Sequence, residues 1–367
     1  MKIPYVNLKA QWENEKKDLI PIIDKVLSSG VYVGGSEIDK FENKICTKLK
    51  TKYCISLNSG TDALVLALHC LGIRPGDEVI TPPNSFIAST AAIVHLGAKP
   101  VFVDVAKDQN IDVDKIKEKL THKTKAIMPV HLTGRICEMS QINNIAKEKK
   151  LIVIEDSAQA VGSKYKNTFS GNLADIGCFS THPLKNLNAC GDGGFITTNS
   201  KQIADKIKSL RTHGMIERDN VENFGFVSRM DSLQAAILNY RLDKLDLVID
   251  KRRKNAKLYL DKLDNKNIYF PVEKDYQFNT YHTFVIQTEK RNELKKYLEE
   301  NNIQTAIHYP NPIHLQPAAK FLNHKKGDFP ETESQSKKIL TLPINQYLNE
   351  TDIDKICNLV NNFFQIK

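Results

Sequence analysis

Short apolar segments alternate with helix-forming segments over the first two-thirds of this 367-residue chain. Five segments have the apolar pattern of buried strands: residues 55–57, 78–81, 100–104, 126–130 and 151–156. Four segments between them have the pattern of helices: residues 62–71, 88–96, 113–119 and 139–149. This alternation predicts a doubly wound α/β fold with a large, mostly parallel sheet. Ligands of such sheets bind in loops that follow the carboxyl ends of the strands.

The pattern changes near Arg229, where a long helical segment with few breakers begins and extends over residues 230–262. Strand-like segments at residues 283–287 and 339–343 then mix with helical segments at residues 291–302 and 352–364. Mixed short strands and helices are typical of an α+β domain. We therefore predict a large ligand-binding domain at residues 1–240 and a smaller C-terminal α+β domain at residues 241–367.

Composition argues against several functional classes. The net charge is +9, but many lysines lie near carboxylates, which is typical of solvated helix faces rather than of a nucleic-acid-binding surface. The seven cysteines include no CxxC pair, so neither a disulfide framework nor a metal site of the common zinc spacing is predicted. No apolar run could span a bilayer and residues 1–11 lack a signal-peptide core, so we expect a cytoplasmic protein without a membrane partner.

A first polar cluster, residues 58–64, follows a predicted strand and begins a predicted helix. Gly60 would let the backbone approach a ligand closely. Free N–H groups at the helix start, together with the hydroxyls of Ser59 and Thr61, are suited to hold a phosphate. An ordinary helix N-cap has the same sequence, so this cluster alone leaves both interpretations open.

A second cluster ends the apolar segment at residues 151–156, where Glu155 and Asp156 follow each other. A carboxylate buried at the end of a strand needs a partner that offsets the cost of its burial. Asp156 could meet this need by holding a protonated ring nitrogen. It could equally cap the helix that follows, and the cluster by itself favours the cap.

A third cluster places Lys185 in a short loop between a predicted strand and a glycine-rich turn at residues 191–194. A lysine that is partly desolvated near another positive group has a lowered pKa, which makes its amine a nucleophile suited to forming an imine. Most lysines are instead solvated surface groups, so this segment alone supports either role.

The three clusters together fit one cofactor. Pyridoxal phosphate needs a lysine for its aldehyde, a carboxylate at its pyridine nitrogen and a cup for its phosphate. Lys185, Asp156 and the turn at residues 59–61 would supply these three groups. We therefore predict a pyridoxal-phosphate enzyme in which Lys185 and Asp156 are catalytic.

These clusters, with others along nearly the whole chain, resemble the DegT/DnrJ/EryC1/StrS family of sugar aminotransferases. The combination of residues 155–159 with a lysine inside residues 180–194 is highly specific to that family. The resemblance also includes residues 3–8, 28–30, 34–35, 75–80, 210–214, 229–236 and 308–310. It implies a fold type I pyridoxal-phosphate-dependent transferase that works as a homodimer.

The resemblance also implies roles for individual residues. Lys185 would bind the cofactor covalently and Asp156 would bind its pyridinium nitrogen. Gln159 would lie on one face of the ring and Phe86 on the other. The phosphate of the cofactor would be held by Ser59, Gly60, Thr61 and Ser180. His308 and Tyr309 would lie near the nucleotide of the substrate. Without the resemblance to the family, we would interpret Phe86 as an aromatic residue of the core. We would likewise interpret His308 as a loop histidine whose hydrogen bonds are all made within the protein.

One position departs from the family pattern. Two residues before the Arg229–Met230 pair, many relatives have an asparagine whose amide reaches the phosphate bound by the partner subunit. This chain has Val227, whose side chain cannot donate a hydrogen bond. Either Ser228 or Arg229 compensates, or the contact across the subunits is missing. We therefore do not assign Val227 to the site.

The predicted reaction moves an amino group from an amino acid, with L-glutamate as the expected donor, to a nucleotide-linked keto-sugar for amino-sugar or surface-polysaccharide biosynthesis. Gln159 favours amination at C-3 because relatives that act at C-4 often have histidine there. A 4-keto sugar or a cyclitol ketone remains open as the acceptor. A sugar dehydratase is disfavoured because such relatives have histidine in place of Lys185. A regulator or binding protein on the same fold is the remaining alternative.

Overall fold

The computed structural model describes residues 2–365, so residues 1 and 366–367 of the predicted domain ranges lie outside the described part of the chain. Fourteen strands lie within that part. In chain order they are β1 (Tyr53–Leu57), β2 (Glu78–Thr81), β3 (Lys99–Phe102), β4 (Thr124–Ile127), β5 (Ile152–Asp156), β6 (Lys164–Tyr165), β7 (Thr168–Phe169), β8 (Ile176–Ser180), β9 (Gly194–Thr198), β10 (Met215–Glu217), β11 (Asn220–Val221), β12 (Gln277–Phe278), β13 (Phe284–Gln287) and β14 (Ile339–Leu342).

Eleven α-helices lie within residues 2–365. In chain order they are α1 (Leu8–Ser29), α2 (Ser36–Leu49), α3 (Gly60–Cys70), α4 (Ile87–His95), α5 (Met139–Lys149), α6 (Lys201–Leu210), α7 (Ser232–Asp243), α8 (Leu245–Lys262), α9 (Arg291–Glu300), α10 (Pro330–Lys338) and α11 (Glu350–Phe363). No helix in this range is both long and apolar enough to cross a membrane.

Seven strands form one central sheet in the order β1-β9-β8-β5-β4-β2-β3. The pairs β2–β3, β2–β4, β4–β5 and β5–β8 are parallel, whereas β9 is antiparallel to both of its neighbours. The predicted α/β class with a mostly parallel sheet is therefore confirmed. The single reversed strand, β9, begins at the edge at which the parallel strands end.

Helices cover both faces of this sheet. The buried side chains of α3 pack with α4, α6 and the central strands in one core, which includes Leu66, Ile154 and Ile196. On the other side, α5 packs against β4 and β5 in a core that includes Ile127 and Ile142. Two covered faces explain why the central strands are apolar runs without alternation.

Two helix predictions were wrong in detail. Residues 113–119 form two short 3-10 turns, Val113–Lys115 and Lys117–Lys119, because Ile116 is the one fully buried side chain in a charged segment. The long segment at residues 230–262 is two helices, α7 and α8, which join at Lys244 with φ −103° and ψ 0°. This bend lets both helices pack buried leucines into the same core.

The C-terminal region forms its own apolar core around the two-stranded sheet β13–β14. Helices α9 and α11 and the second half of α8 surround this sheet, and Tyr259 is fully buried among them. Ile3 belongs to the same core, since its backbone pairs with that of Ile303. The first residues of the chain therefore pack on the C-terminal region before α1 packs against α7.

Candidate active site

The carboxyl edge of the central sheet brings the three sequence clusters together. Asp156 ends β5 and Ser180 ends β8, and the two strands are parallel neighbours. Gly194 begins the reversed strand β9 at the same edge, paired with Leu57 on one side and Ser180 on the other. The loop after β1, which contains Ser59, therefore lies beside the loop that leaves β8.

The predicted phosphate cup is built by close backbone packing. A Cβ atom at Gly60 would lie 2.6 Å from the Cβ of Ser180, and one at Gly194 would lie 2.4 Å from the carbonyl of Ser59. Ser59 caps α3, since its hydroxyl accepts a hydrogen bond from the N–H of Asp62 at 3.0 Å. Among the described residues, the N–H groups of Gly60 and Thr61 have no acceptor. The cluster is therefore both an N-cap and an open anion-binding helix start.

The loop that carries Lys185 is fixed by hydrogen bonds from both of its sides. The N–H of Lys185 donates to the carbonyl of His182 at 2.8 Å. The amide of Asn186 donates to the carbonyl of Thr280 at 3.0 Å, and that of Asn188 donates to the carbonyl of Pro183 at 2.7 Å. The lysine is thus held in place by its backbone, and its side chain is left to project into the site.

The Lys185 amine is prepared to act as a nucleophile. Burial lowers its pKa from the usual value to about 8, and the charge of Asp156 opposes this shift in part. With a pKa of about 8, roughly a tenth of the amine is unprotonated at pH 7, far more than for a lysine of ordinary pKa, and this form attacks an aldehyde. The predicted desolvation of Lys185 agrees with this geometry, but the charge that acts on its amine is the carboxylate of Asp156 and not a second positive group.

Asp156 is buried at the end of β5 and is only partly satisfied by the protein. One carboxylate oxygen accepts a hydrogen bond from the Ser89 hydroxyl at 2.7 Å, and the other accepts from the N–H of Ala158 at 3.2 Å. Burial raises the pKa of Asp156, while the Ser89 hydrogen bond and the charge of Lys185 oppose that rise. A protonated ring nitrogen would supply the missing positive partner.

The neighbouring carboxylate, Glu155, has a purely structural environment. Its oxygens accept hydrogen bonds from the N–H groups of Gly171 and Leu173, both at 2.8 Å, and from His131 at 3.0 Å. The other ring nitrogen of His131 accepts from the N–H of Cys137 at 3.3 Å, so the nitrogen facing Glu155 carries the proton. Only Asp156 of the two carboxylates remains available to a ligand.

Aromatic and amide side chains form a wall next to Asp156. Phe86 is 55% exposed, so it is not a core aromatic, and its ring centroid lies 5.7 Å from that of Tyr309. The Gln159 amide donates weakly to the Tyr309 hydroxyl at 3.4 Å, and its oxygen accepts from the N–H of Thr133 at 2.7 Å. These contacts bring together Phe86, Gln159 and Tyr309, which were predicted from distant segments of the chain.

His308 continues this wall toward the first residues of the chain. Its ring centroid lies 5.6 Å from that of Tyr5, and its Nδ1 lies 3.0 Å from the Thr341 hydroxyl. Burial lowers the pKa of His308 to about 4, so its imidazole is neutral. Burial also raises the pKa of Tyr309 to about 12, which leaves its hydroxyl intact as a hydrogen-bond donor.

Sequence reasoning missed three polar side chains of the site. Ser89 lies in the first turn of α4, three residues after Phe86, and that spacing places both at the start of one helix. His282 and Arg252 come from the C-terminal region. Burial lowers the pKa of both, and the charge of Lys185 lowers the pKa of His282 further. No local pattern marks these two, since only the packing of distant segments brings them to the site.

The side chain of Val227 is exposed and makes no polar contact. It is 54% exposed, and its backbone pairs with that of Thr212. Of the two residues that could replace the missing amide, Ser228 is buried and its hydroxyl donates to the Asn58 side chain at 3.3 Å. Arg229 is exposed and forms no ion pair with the described residues.

The residues at the carboxyl edge of the central sheet fit pyridoxal phosphate. The cup presents two N–H groups without acceptors among residues 2–365, next to glycines whose lack of a Cβ keeps the backbone open. Lys185 offers an amine of lowered pKa, and Asp156 offers a carboxylate without a cationic hydrogen-bond partner. These groups are the phosphate, aldehyde and ring-nitrogen contacts that the cofactor needs.

Comparison with known proteins agrees with this arrangement. The model of the DegT/DnrJ/EryC1/StrS aminotransferase family matches residues 13–361. The chain is 41% identical to a dTDP-3-amino-3,6-dideoxy-alpha-D-galactopyranose transaminase of Aneurinibacillus thermoaerophilus, covering 98% of this chain and 99% of the relative. It is 38% identical to a protein of Geobacillus stearothermophilus named pleiotropic regulatory protein, covering 100% of this chain and 99% of that protein.

Solved structures give the same result. The crystal structure of S. venezuelae DesV in complex with a ketimine intermediate matches with a TM-score of 0.96 and 35% identity, covering 99% of this chain and 98% of that chain. Two further similar structures are described as forms of their proteins with bound PMP or PLP. The chain belongs to the DegT/DnrJ/EryC1/StrS aminotransferase family, and its cofactor is pyridoxal 5′-phosphate.

Proposed function

We propose that this aminotransferase transfers an amino group from L-glutamate to a nucleotide-linked keto-sugar and installs the amine at C-3. The observation that carries the transamination is the placement of Lys185, with its lowered pKa, beside Asp156 at the edge of the sheet. The sugar acceptor is supported by the relative from Aneurinibacillus thermoaerophilus, which is a dTDP-3-amino sugar transaminase. The basic balance of the chain, +9, suits an anionic nucleotide-sugar.

The side chains of the site divide the work of the reaction. When bound, pyridoxal phosphate supplies an aldehyde that receives the amino group and a ring that accepts electrons. The Lys185 amine, once freed by the donor, removes the proton from the α-carbon of the amino acid and later returns a proton. The Asp156 carboxylate keeps a proton on the ring nitrogen, which strengthens the ring as an electron acceptor. The N–H groups of Gly60 and Thr61 orient the phosphate.

Gln159 is the residue we assign to acceptor selection. Its amide oxygen is fixed by the N–H of Thr133, so its nitrogen faces Tyr309. A side chain held in this way presents one donor at a defined position beside the reacting carbon. A single contact of this kind changes selectivity by about 1–3 kcal/mol.

Substitution of the lysine tests the catalytic assignment. Lys185→Ala should abolish turnover while the folded variant still binds pyridoxal phosphate noncovalently, because the phosphate cup and Asp156 remain. Borohydride reduction followed by peptide mapping should fix the cofactor to Lys185 in the wild type and to no residue in the variant. Lys201→Ala, at an exposed position, serves as the control and should behave as the wild type.

The assignment of Lys185 fails if the variant is still fixed covalently or if the wild-type cofactor is found on another lysine. A wild-type protein that binds no cofactor and shows no visible absorbance change with L-glutamate would instead support a regulatory role. The relative from Geobacillus stearothermophilus, named as a regulatory protein, is the observation that keeps this second function in view.

Substitution of the carboxylate tests the role of the ring nitrogen. Asp156→Asn should retain cofactor binding and lose roughly 100-fold or more of the turnover rate, because a neutral amide does not favour the protonated ring. Ser89→Ala removes one hydrogen bond but keeps the charge, so it should reduce the rate far less. No helix follows Asp156, so near-normal turnover in a folded Asp156→Asn variant would show that this residue only stabilises the turn after β5 through its hydrogen bond with the N–H of Ala158.

The position of amination is tested with matched acceptors. Nucleotide-linked 3-keto and 4-keto sugars are each incubated with the enzyme and L-glutamate, and their kcat/KM values are compared. We expect kcat/KM to be higher for the 3-keto sugar, and we expect Gln159→His to reduce the ratio of the two kcat/KM values. A wild-type preference for the 4-keto sugar contradicts the proposal, and activity on neither points to a cyclitol ketone.

We also propose that the enzyme is a homodimer. Exposed apolar side chains cluster in the hairpin β10–β11 and the segment after it, where Phe224 is 97% exposed and Ile216 and Val221 are also exposed. Three consecutive apolar residues at positions 31–33 are exposed as well. Groups of exposed apolar side chains support an interface with a second subunit.

Light scattering at micromolar concentration tests the dimer. The wild type should have twice the mass of the chain, and Phe224→Asp should shift the equilibrium toward the monomer because a charge cannot be buried in an apolar interface. Phe321→Asp, at another exposed aromatic, is the matched control and should leave the mass unchanged. An active wild-type monomer contradicts the proposal.

A further inference from the structure

A cavity of about 600 Å³ lies between the turn after β3 and the C-terminal region, and none of the active-site residues described above lines it. Its walls come from Lys107, from residues 265–269, from residues 287–290 and from α10. Two of these walls are joined by backbone hydrogen bonds between Tyr269 and Gln287, at 2.9 and 2.7 Å. A cavity of this size can hold a small organic ligand.

Three lysines on the walls have no carboxylate partner. Lys107, Lys266 and Lys290 come from segments that are far apart in the sequence, and none of them forms an ion pair with the described residues. The next lysines of α9, Lys295 and Lys296, instead pair with glutamates of the same helix at 3.5 and 3.9 Å. Like charges that converge on one cavity repel each other, so an anion bound there would stabilise them.

The carboxylates of the cavity do not cancel this charge. Glu289 is paired with Lys338, the fourth lysine of the cavity, at 2.7 Å. The carboxylate of Glu331 accepts a hydrogen bond from the Gln335 amide at 2.8 Å. Four lysines therefore face two carboxylates, and the excess of positive charge suits a ligand with more than one negative charge.

Aromatic and amide groups lie beside these lysines. The ring of Tyr269 is 43% exposed, and Phe364 lines the same cavity. An exposed ring can stack on a heterocycle. Asn265 and Asn267 add side-chain amides, which can both donate to and accept from the edge of a base. The cavity thus combines groups that suit the two parts of a nucleotide.

Helix α10 borders both this cavity and the wall of the active site. Glu331 and Lys338, two turns apart on the helix, line the cavity. Gln335, on the neighbouring side of the helix, lines a small space that His308 and Tyr309 also line. The cavity and the active site are therefore separate spaces that share one helix.

The cavity also lies away from the surface proposed for the dimer. Lys107 follows β3, which is one edge of the central sheet. The hairpin β10–β11 follows α6, and α6 packs against β1 at the other edge. A ligand could therefore enter the cavity in the proposed dimer.

We propose that this cavity is a second binding site, outside the active site, for a nucleoside diphosphate. The ammonium groups of Lys107, Lys266 and Lys290 would bind the diphosphate, which carries several negative charges. The ring of Tyr269 would stack on the base. A nucleotide bound here would not contact Lys185, which lines none of the cavity.

Isothermal titration calorimetry tests the site. ADP, GDP, UDP and dTDP are titrated separately into the holoenzyme, and the number of nucleotides bound per chain is determined. The double variant Lys266→Glu/Lys290→Glu should bind one fewer than the wild type of at least one of the four. The control Lys295→Glu/Lys296→Glu changes the charge equally outside the cavity and should bind the same number as the wild type.

The aromatic contact has its own test. Tyr269→Ala should weaken the binding of that nucleotide to the cavity on the order of 10-fold, because stacking on the base is lost. Tyr269→Phe keeps the ring and should bind as the wild type does. Inorganic pyrophosphate has no base, so its dissociation constant should be the same for the wild type and Tyr269→Ala.

The difference in number between the two double variants does not depend on whether the active site itself binds the nucleotide. The proposal is overturned if Lys266→Glu/Lys290→Glu binds as many of each nucleotide as the wild type, or if the control loses a site as well. If the double variant does not fold, Lys266→Ala and Lys290→Ala are tested singly, and unchanged affinity in both is equally contradictory. Pyrophosphate binding as tight as that of every nucleotide, with no effect of Tyr269→Ala, overturns the assignment of a nucleoside.

Discussion

The reversed strand β9 is the constraint on which the active site depends. The chain leaves the carboxyl edge of the sheet at Ser180 and must return to the same edge at Gly194, so the loop between them stays above that edge. Gly194 can pack against Ser59 only because it lacks a side chain. The same packing holds the phosphate cup against the loop of Lys185. A fully parallel strand at this place would have carried the chain to the opposite edge of the sheet.

The functional charged groups differ from the structural ones in how completely the protein itself pairs them. Glu155 has three hydrogen-bond donors and Arg253 has a carboxylate partner, so both are complete within the protein. Asp156 and Arg252 are also buried and Lys185 is half-buried, and none of the three has an equivalent partner. Their burial costs free energy that a cofactor and a substrate of opposite charge can offset. The site therefore holds its ligands with groups that the fold itself leaves unpaired.

The sequence predicted the parts of the site that lie in continuous segments. The phosphate cup, Asp156 and Lys185 each follow a strand, and the alternation of strands and helices placed them at one edge. The 3-10 turns at residues 113–119 and the break at Lys244 were not predicted, because they depend on which side chains are buried in a core of the folded protein. Ser89, His282 and Arg252 were missed because their roles arise from tertiary packing. The domain division and the roles of His308 and Tyr309 toward a nucleotide stay predictions.

We expect Lys185 and Asp156 to hold opposite ends of one cofactor. A crystal structure of the protein loaded with pyridoxal phosphate should then show continuous electron density between the Lys185 Nζ atom and the cofactor. An Asp156 carboxylate oxygen should lie about 3 Å from the ring nitrogen. A cofactor bonded to another lysine, or a ring nitrogen that faces away from Asp156, would contradict it.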